Sequence, residues 1–196
     1  MRKIVFAGGT HCGKTTLVEY FAKEGQATVS ESGIHAISKF VDVMGWGGYR
    51  SWRLAHQEEF VEKMLEEQIR FEAKASQDAP YVFYDRGIID YFAMADHLSV
   101  SFHSKFDAYA REYRYDLVFL CEPLAHFDQR EQSGRMFTRE DSKKLTIRAE
   151  SLYREFGYVP IRLPDIPVPA RVAIILKTIE EFFPAEPLRL SVPLPG

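Results

Sequence analysis

The chain has 196 residues, 46% of them hydrophobic and 27% charged, with a formal net charge of −3. These proportions suffice for one globular core and exclude a largely disordered chain or a basic nucleic-acid footprint. No apolar run reaches the ~18 residues of a membrane span, the N-terminal Ile4-Val5-Phe6 run stops at Gly8-Gly9 too soon for a secretory leader, and the two cysteines are too few for a disulfide framework.

Residues 2–7 are a short β-prone apolar run that ends in glycines, which reads as a buried strand entering a loop. Leu17, Val18, Phe21 and Ala22 then repeat at helical spacing over 14–23, and Gly25 stops that helix. A second strand is predicted at 27–30, followed by a helix to Met44 that breaks at 45–49, Gly-Trp-Gly-Gly-Tyr. From Ser51 to about Ser76 the pattern is one long amphipathic helix, with Glu59/Lys63 and Glu66/Arg70 paired on its polar side.

A third strand is predicted at 81–84, closed by Asp85-Arg86-Gly87, then helices at 88–97 and 103–114. A fourth strand spans 116–121 and ends at Glu122-Pro123. A charged stretch, 126–144, leads into a helix to about Phe156. The fifth strand is 158–163 and the last helix 168–183. Beyond it, 184–196 is a proline-rich tail that reads as extended and loosely held. Strands alternating with helices in this order predict a three-layer α/β fold on a parallel five-stranded sheet, as one domain over 1–183. Ligands of such sheets bind at the carboxyl ends of the strands.

The loop after the first strand, Gly8-Gly9-Thr10-His11-Cys12-Gly13-Lys14-Thr15, fits the phosphate-loop pattern G-x-x-x-x-G-K-[ST]. Such a loop curls its N–H groups around an anion and opens into a helix whose N-terminus adds positive potential. Lys14 is placed to reach the outer phosphates and the Thr15 hydroxyl to ligate Mg²⁺. Cys12 and His11 read as loop residues; a redox role for Cys12 at the helix entrance is the alternative. A GTPase would carry an Asn/Thr-Lys-x-Asp segment, and there is none; a mechanical ATPase would carry a strand ending in Asp-Glu, whereas the candidate strands end in Asp85-Arg86 and Cys121-Glu122.

Gly8 to Thr16, Glu31 after the second strand and Asp85-Arg86-Gly87 after the third resemble the nucleoside and nucleotide kinase group, and most closely the NadR-like AAA-domain family, which includes nicotinamide-riboside kinase domains. Ser133-Gly134-Arg135, the helix after it, and Tyr153 to Tyr158 are similar to that family's lid and final strand. The likeness covers about residues 2–183 and implies a kinase-like P-loop domain with a lid at about 126–144, using ATP and Mg²⁺ on a nucleoside, riboside or nucleotide acceptor. Two departures stand out: the lid has Ser133-Gly134 where the family often has Asp-Gly, and Glu31 is followed by Ser32, where thymidylate and deoxynucleoside kinases have a Glu-Pro step.

Phosphoryl transfer asks mainly for positioning and charge neutralisation. Asp85 stands where a P-loop fold keeps its metal carboxylate; the alternative is a helix cap. Arg86 is expected to clamp the acceptor or the transferring phosphoryl group, or else to pair with Glu31 or Glu122. Glu31 is expected to take or orient the proton of an acceptor hydroxyl, with helix capping as the plainer role. Arg130, Arg135 and Arg139 lie in the charged stretch, where arginines either close over the phosphates or form a solvated face. Phe40, Trp46, Tyr49 and Trp52 surround the glycine segment, as a stacking platform or as packing anchors. The expectation is a cytoplasmic kinase with ATP and a small molecule as partners and neither membrane nor nucleic acid. A nucleotide-binding regulatory switch is the rival reading.

Overall fold

Alternate residues of the first strand serve opposite faces of the sheet. Ile4 and Phe6 enter one apolar cluster, Val5 and Ala7 the other, and all four are fully buried. Burial on both faces is what a parallel sheet covered by helices requires. The computed structural model describes residues 1–101, 104–126, 137–188 and 190. Five strands, β1 (Arg2–Ala7), β2 (Ala27–Val29), β3 (Tyr81–Asp85), β4 (Leu117–Cys121) and β5 (Ile161–Leu163), form one sheet in the order β2-β3-β1-β4-β5. All neighbouring pairs are parallel, with Phe6 opposite Asp85 and opposite Phe119.

One face carries α1 (Lys14–Lys23) and α7 (Val168–Phe182), through Leu17, Phe21, Val172 and Ile175. Phe21 stacks on Phe83 with ring centroids 3.9 Å apart. The other face carries α2 (Ser32–Ala55), α3 (Gln57–Ala73), α4 (Ile88–His97), α5 (Ser104–Glu112) and α6 (Arg139–Glu155). Strand order places β1 and β3 side by side at the centre, so the loop after β1 and the Asp85-Arg86 step after β3 open on the same edge.

Two predicted boundaries differ. The break at 45–49 is confined to Gly45, whose φ of 69° lies in the left-handed region; the chain then returns to helix through Ala55. Helix 51–76 is in fact two helices meeting at His56, whose φ of −130° interrupts the turn. Glu58 and Glu59, in the first turn of α3, complement the positive end of the new helix, a start signal within the amphipathic run. The two bends let the aromatic segment pack on itself: across Gly45, Phe40 stacks on Trp52 at 4.4 Å, and across His56, buried Tyr49 meets Phe60 edge-on at 6.4 Å. The start of the tail is held, not loose. Arg2 bonds both carboxylate oxygens of Glu186 (3.0 and 3.2 Å), the Tyr81 hydroxyl donates to the Glu186 carbonyl, and Leu188 and Leu190 pack on the α1–α7 side of the core.

Candidate functional site

The loop after β1 curls because several residues adopt backbone angles that turn the chain back on itself. Gly8, His11 and Gly13 have φ of 123°, 54° and 77°, and α1 begins at Lys14. Gly9 has no room for a side chain: a Cβ there would collide with the Ser142 backbone carbonyl of α6. The loop is held from several elements. Asp90 accepts from the Gly8 N–H (2.8 Å), Thr146 from the Gly9 N–H (2.9 Å), and Ser142 Oγ donates to the Thr10 carbonyl (2.5 Å). From the opposite layer Arg171 donates to the Cys12 carbonyl (2.7 Å) and the Pro164 carbonyl (2.8 Å). Asp90 also accepts from the Gly87 N–H (3.0 Å) and the Tyr153 hydroxyl (2.8 Å), so one buried carboxylate joins the loop, α4 and α6.

Lys14 is buried and its Nζ donates to the Gly9 carbonyl. Thr15 opens α1 and donates its hydroxyl to Asp85 Oδ2 at 2.6 Å. Asp85 is wholly buried at the end of β3, and its Oδ1 has no hydrogen-bond partner among the described residues. Burial, followed by the nearby negative charge of Glu31, pushes the Asp85 carboxyl up to about 6. Neither Asp85 nor Glu31 caps a helix: α4 starts after Gly87, and Glu31, at the N-cap position of α2, makes no side-chain capping bond.

Arg86 follows Asp85 with a left-handed φ of 76°. Its Nε donates to Glu31 Oε1 at 3.0 Å, its Nη1 to the Gly8 carbonyl at 2.9 Å and its Nη2 to the Gly9 carbonyl at 3.5 Å. Burial works against the Arg86 charge, but Glu31 and Asp90 outweigh it, and the guanidinium titrates above the ordinary arginine range. Glu122 pairs with Arg162 instead, at 3.3 Å. Thr15, Glu31 and Asp85 share a cavity of about 420 Å³ with Glu19, and His35 and Phe71 line it too, their rings 5.5 Å apart.

Of the other residues singled out from the sequence, Gly8, Gly9, Thr10 and Cys12 are buried in the loop, and Thr16 is exposed on α1. Cys12 Sγ packs against Ser142 and Thr146, and burial pushes the Cys121 thiol up to about 12. Arg139 is exposed on the first turn of α6, three residues before Ser142; Arg130 and Arg135 lie outside the described residues. Sequence reasoning missed Asp90, Ser142, Thr146 and Arg171. Two of them carry a signal in retrospect: Asp90 interrupts the apolar run Ile88-Ile89-Asp90-Tyr91-Phe92, and Arg171 interrupts the apolar face of α7, and both are buried.

The AAA domain family matches residues 3–171. The chain belongs to this family. A comparison with curated proteins gives no match. Among solved structures, this AAA domain is similar to deoxyadenosine kinase from M. mycoides with bound dATP, at TM-score 0.61 and 13% identity, covering 91% of this chain and 99% of that one. The same enzyme with bound dCTP gives TM-score 0.60 and identical coverage. At that identity the likeness shows the fold, a P-loop fold of the nucleoside-kinase type. No helix among the described residues is long and apolar enough to cross a membrane.

Proposed function

We propose that this AAA domain is an ATP-dependent kinase that transfers the γ-phosphoryl group to a hydroxyl of a nucleoside or related riboside. The observation that carries the reading is the single cavity bordered by Thr15 at the phosphate loop, Asp85 at the end of β3 and Glu31 after β2. Donor phosphates held by the loop therefore face an acceptor space that already contains a carboxylate. Glu19, Glu31 and Asp85 line this space and no lysine or arginine does so among the described residues, which supports an unphosphorylated acceptor over an anionic nucleotide.

Asp85 and Thr15 fit a Mg²⁺ ion. A buried carboxylate oxygen without a donor, beside a hydroxyl 2.6 Å from its twin, is a costly arrangement that a divalent cation relieves. When bound, the ion neutralises charge on the β- and γ-phosphates. Lys14 exchanges its bond to the Gly9 carbonyl for the outer phosphates. Glu31 accepts the proton of the acceptor hydroxyl as that oxygen bonds to the γ-phosphorus and the bond to the leaving diphosphate breaks. Arg86 aims Glu31 through its 3.0 Å bond to Oε1. Arg130, Arg135 and Arg139 are assigned to closing over the phosphates, which excludes water and protects the donor from hydrolysis.

A radiolabelled γ-phosphate transfer screen across nucleosides, nucleoside monophosphates and vitamin ribosides tests the reading. Transfer to an unphosphorylated acceptor is expected, with Glu31→Gln lowering turnover by about 10²-fold while ATP affinity holds within a few-fold. Hydrolysis without transfer to any acceptor would overturn the kinase reading in favour of a regulatory switch.

A further inference from the structure

Gln68 stands on α3, an element that supplies none of the residues assigned to phosphate or metal, yet it touches both halves of the proposed acceptor site. It is fully buried. Its Oε1 accepts from Ser32 Oγ at 2.7 Å and from the Tyr91 hydroxyl at 3.5 Å. Its Nε2 donates to Glu72 Oε1 at 3.0 Å and to the Arg86 carbonyl at 3.1 Å. A carbonyl oxygen can only accept, so the side-chain NH₂ must face Arg86 and the oxygen must face the two hydroxyls. Both N–H groups of the amide are thereby used, and its oxygen faces a hydroxyl pair that is itself bonded, Ser32 Oγ to the Tyr91 hydroxyl at 2.8 Å. Ser32 is buried and is the chain neighbour of Glu31. One amide thus ties the residue after Glu31 to the backbone of Arg86.

Arg86 needs that tie. A left-handed φ in a residue with a long side chain is strained and persists only where its surroundings over-determine it. The Arg86 N–H is held by the Phe6 carbonyl at 3.1 Å, and the Arg86 carbonyl by Gln68. These two bonds fix the peptide units on either side of the strained Cα, and the guanidinium then reaches Glu31, Gly8 and Gly9 together. Without the Gln68 donor the backbone can relax and the guanidinium swings off Glu31.

We infer that Gln68 is a positioning residue, holding Arg86 and the Glu31-Ser32 step in the geometry that phosphoryl transfer uses. The inference rests on the kinase reading for its consequence in turnover, but its structural content stands apart from it. Exchanging the two partners separates positioning from fold stability. In the double variant Gln68→Glu/Glu72→Gln the bond between positions 68 and 72 re-forms with donor and acceptor reversed, and the Ser32 hydroxyl still finds an oxygen. Two groups lose a partner: the Arg86 carbonyl, because a carboxylate at 68 cannot supply a donor, and the Tyr115 hydroxyl, which now meets an amide NH₂ where Glu72 Oε1 stood; the Arg86 resonance reads the first of these and not the second.

The test compares wild type, Glu72→Gln, Gln68→Glu and the double variant at pH 8 by three measurements. These are thermal unfolding, the ¹⁵N-resolved Nε–Hε resonance of Arg86 (assigned by its loss in Arg86→Lys), and phosphoryl transfer to the best acceptor of the screen. The double variant is expected to recover part of the stability lost in Gln68→Glu, yet to lose the slowly exchanging Arg86 Hε signal. Its kcat is expected to fall about 10–100-fold with the acceptor KM within a few-fold, the size of effect of misplacing a reacting group by about 1 Å. Glu72→Gln keeps the Arg86 signal. An unchanged Arg86 signal in the double variant, or wild-type kcat there, would overturn the inference. Should the double variant not fold, Gln68→Met, which also removes the donor, takes its place. If wild type transfers phosphate to no acceptor, the kinase reading fails while the Arg86 resonance still decides whether Gln68 positions it.

Discussion

Replacing Glu72 by glutamine should make the protein more stable, and the gain should grow with pH. Glu72 is buried on α3. Its Oε1 accepts from Gln68 Nε2 (3.0 Å) and the Tyr115 hydroxyl (2.7 Å), and its Oε2 has no partner among the described residues. Burial therefore pushes its carboxyl from 4.5 up to about 7. A raised carboxyl means that the native state holds the proton more tightly than the unfolded chain. The contribution is fully present below about pH 4.5 and is lost as pH rises through about 7. A carboxyl raised from 4.5 to about 7 contributes about 3 kcal/mol in total, most of which disappears between pH 5 and pH 8. Glutamine keeps both hydrogen bonds to Oε1 and does not ionise. Urea unfolding followed by the fluorescence of Trp46 and Trp52 should show the midpoint of Glu72→Gln pulling ahead of wild type by about 1 M urea across that range, for a denaturant slope near 2 kcal/mol/M. Asp85 is also raised, to about 6, but it is common to both proteins and cancels in the comparison. Parallel stability curves, separated by the same amount at pH 5 and pH 8, would refute the reasoning.

Lys14→Ala should weaken nucleoside-triphosphate binding about 10–100-fold in calorimetry, the worth of a charge-assisted bond to phosphate, while leaving the unfolding midpoint within a few degrees. Asp85→Asn should act in opposite senses on two readouts: the dependence of nucleotide binding on Mg²⁺ is lost, and stability at pH 7 rises because a buried, half-satisfied carboxylate has become neutral. Gly9→Ala should cost several kcal/mol or push α6 off the loop, because its Cβ meets the Ser142 carbonyl and not a flexible side-chain end; amide exchange at Ser142 and Thr146 measures the displacement.

The fold, and the placing of the phosphate loop beside Asp85, could be read from the sequence because they depend on local signals. A strand that stops at Gly8-Gly9, a helix that starts at Lys14 and an apolar strand that ends at Asp85 are each written in contiguous residues. Strand alternation with helices then brings those residues to one edge. The supports of the loop were not legible in the same way. Ser142 and Thr146 lie more than a hundred residues from the loop they brace, and nothing in a polar helix face distinguishes a buried hydroxyl from a solvated one. Gln68 was hidden likewise, inside a helix whose periodicity marks a face but not the partner across it. The corner at His56 escaped because the apolar stripe continues through it, while the change of direction is made by one backbone torsion.

The chain leaves the loop's neighbourhood and returns to it at adjacent points. The Leu124 N–H donates to the His11 carbonyl at 3.4 Å, and Ser142 Oγ bonds the Thr10 carbonyl next to it. Leu124 and Ser142 are thus two fixed points whose spacing the phosphate loop itself sets. A shift of the phosphate loop is therefore felt at Leu124 and Ser142 together, far apart along the chain yet bonded to neighbouring carbonyls.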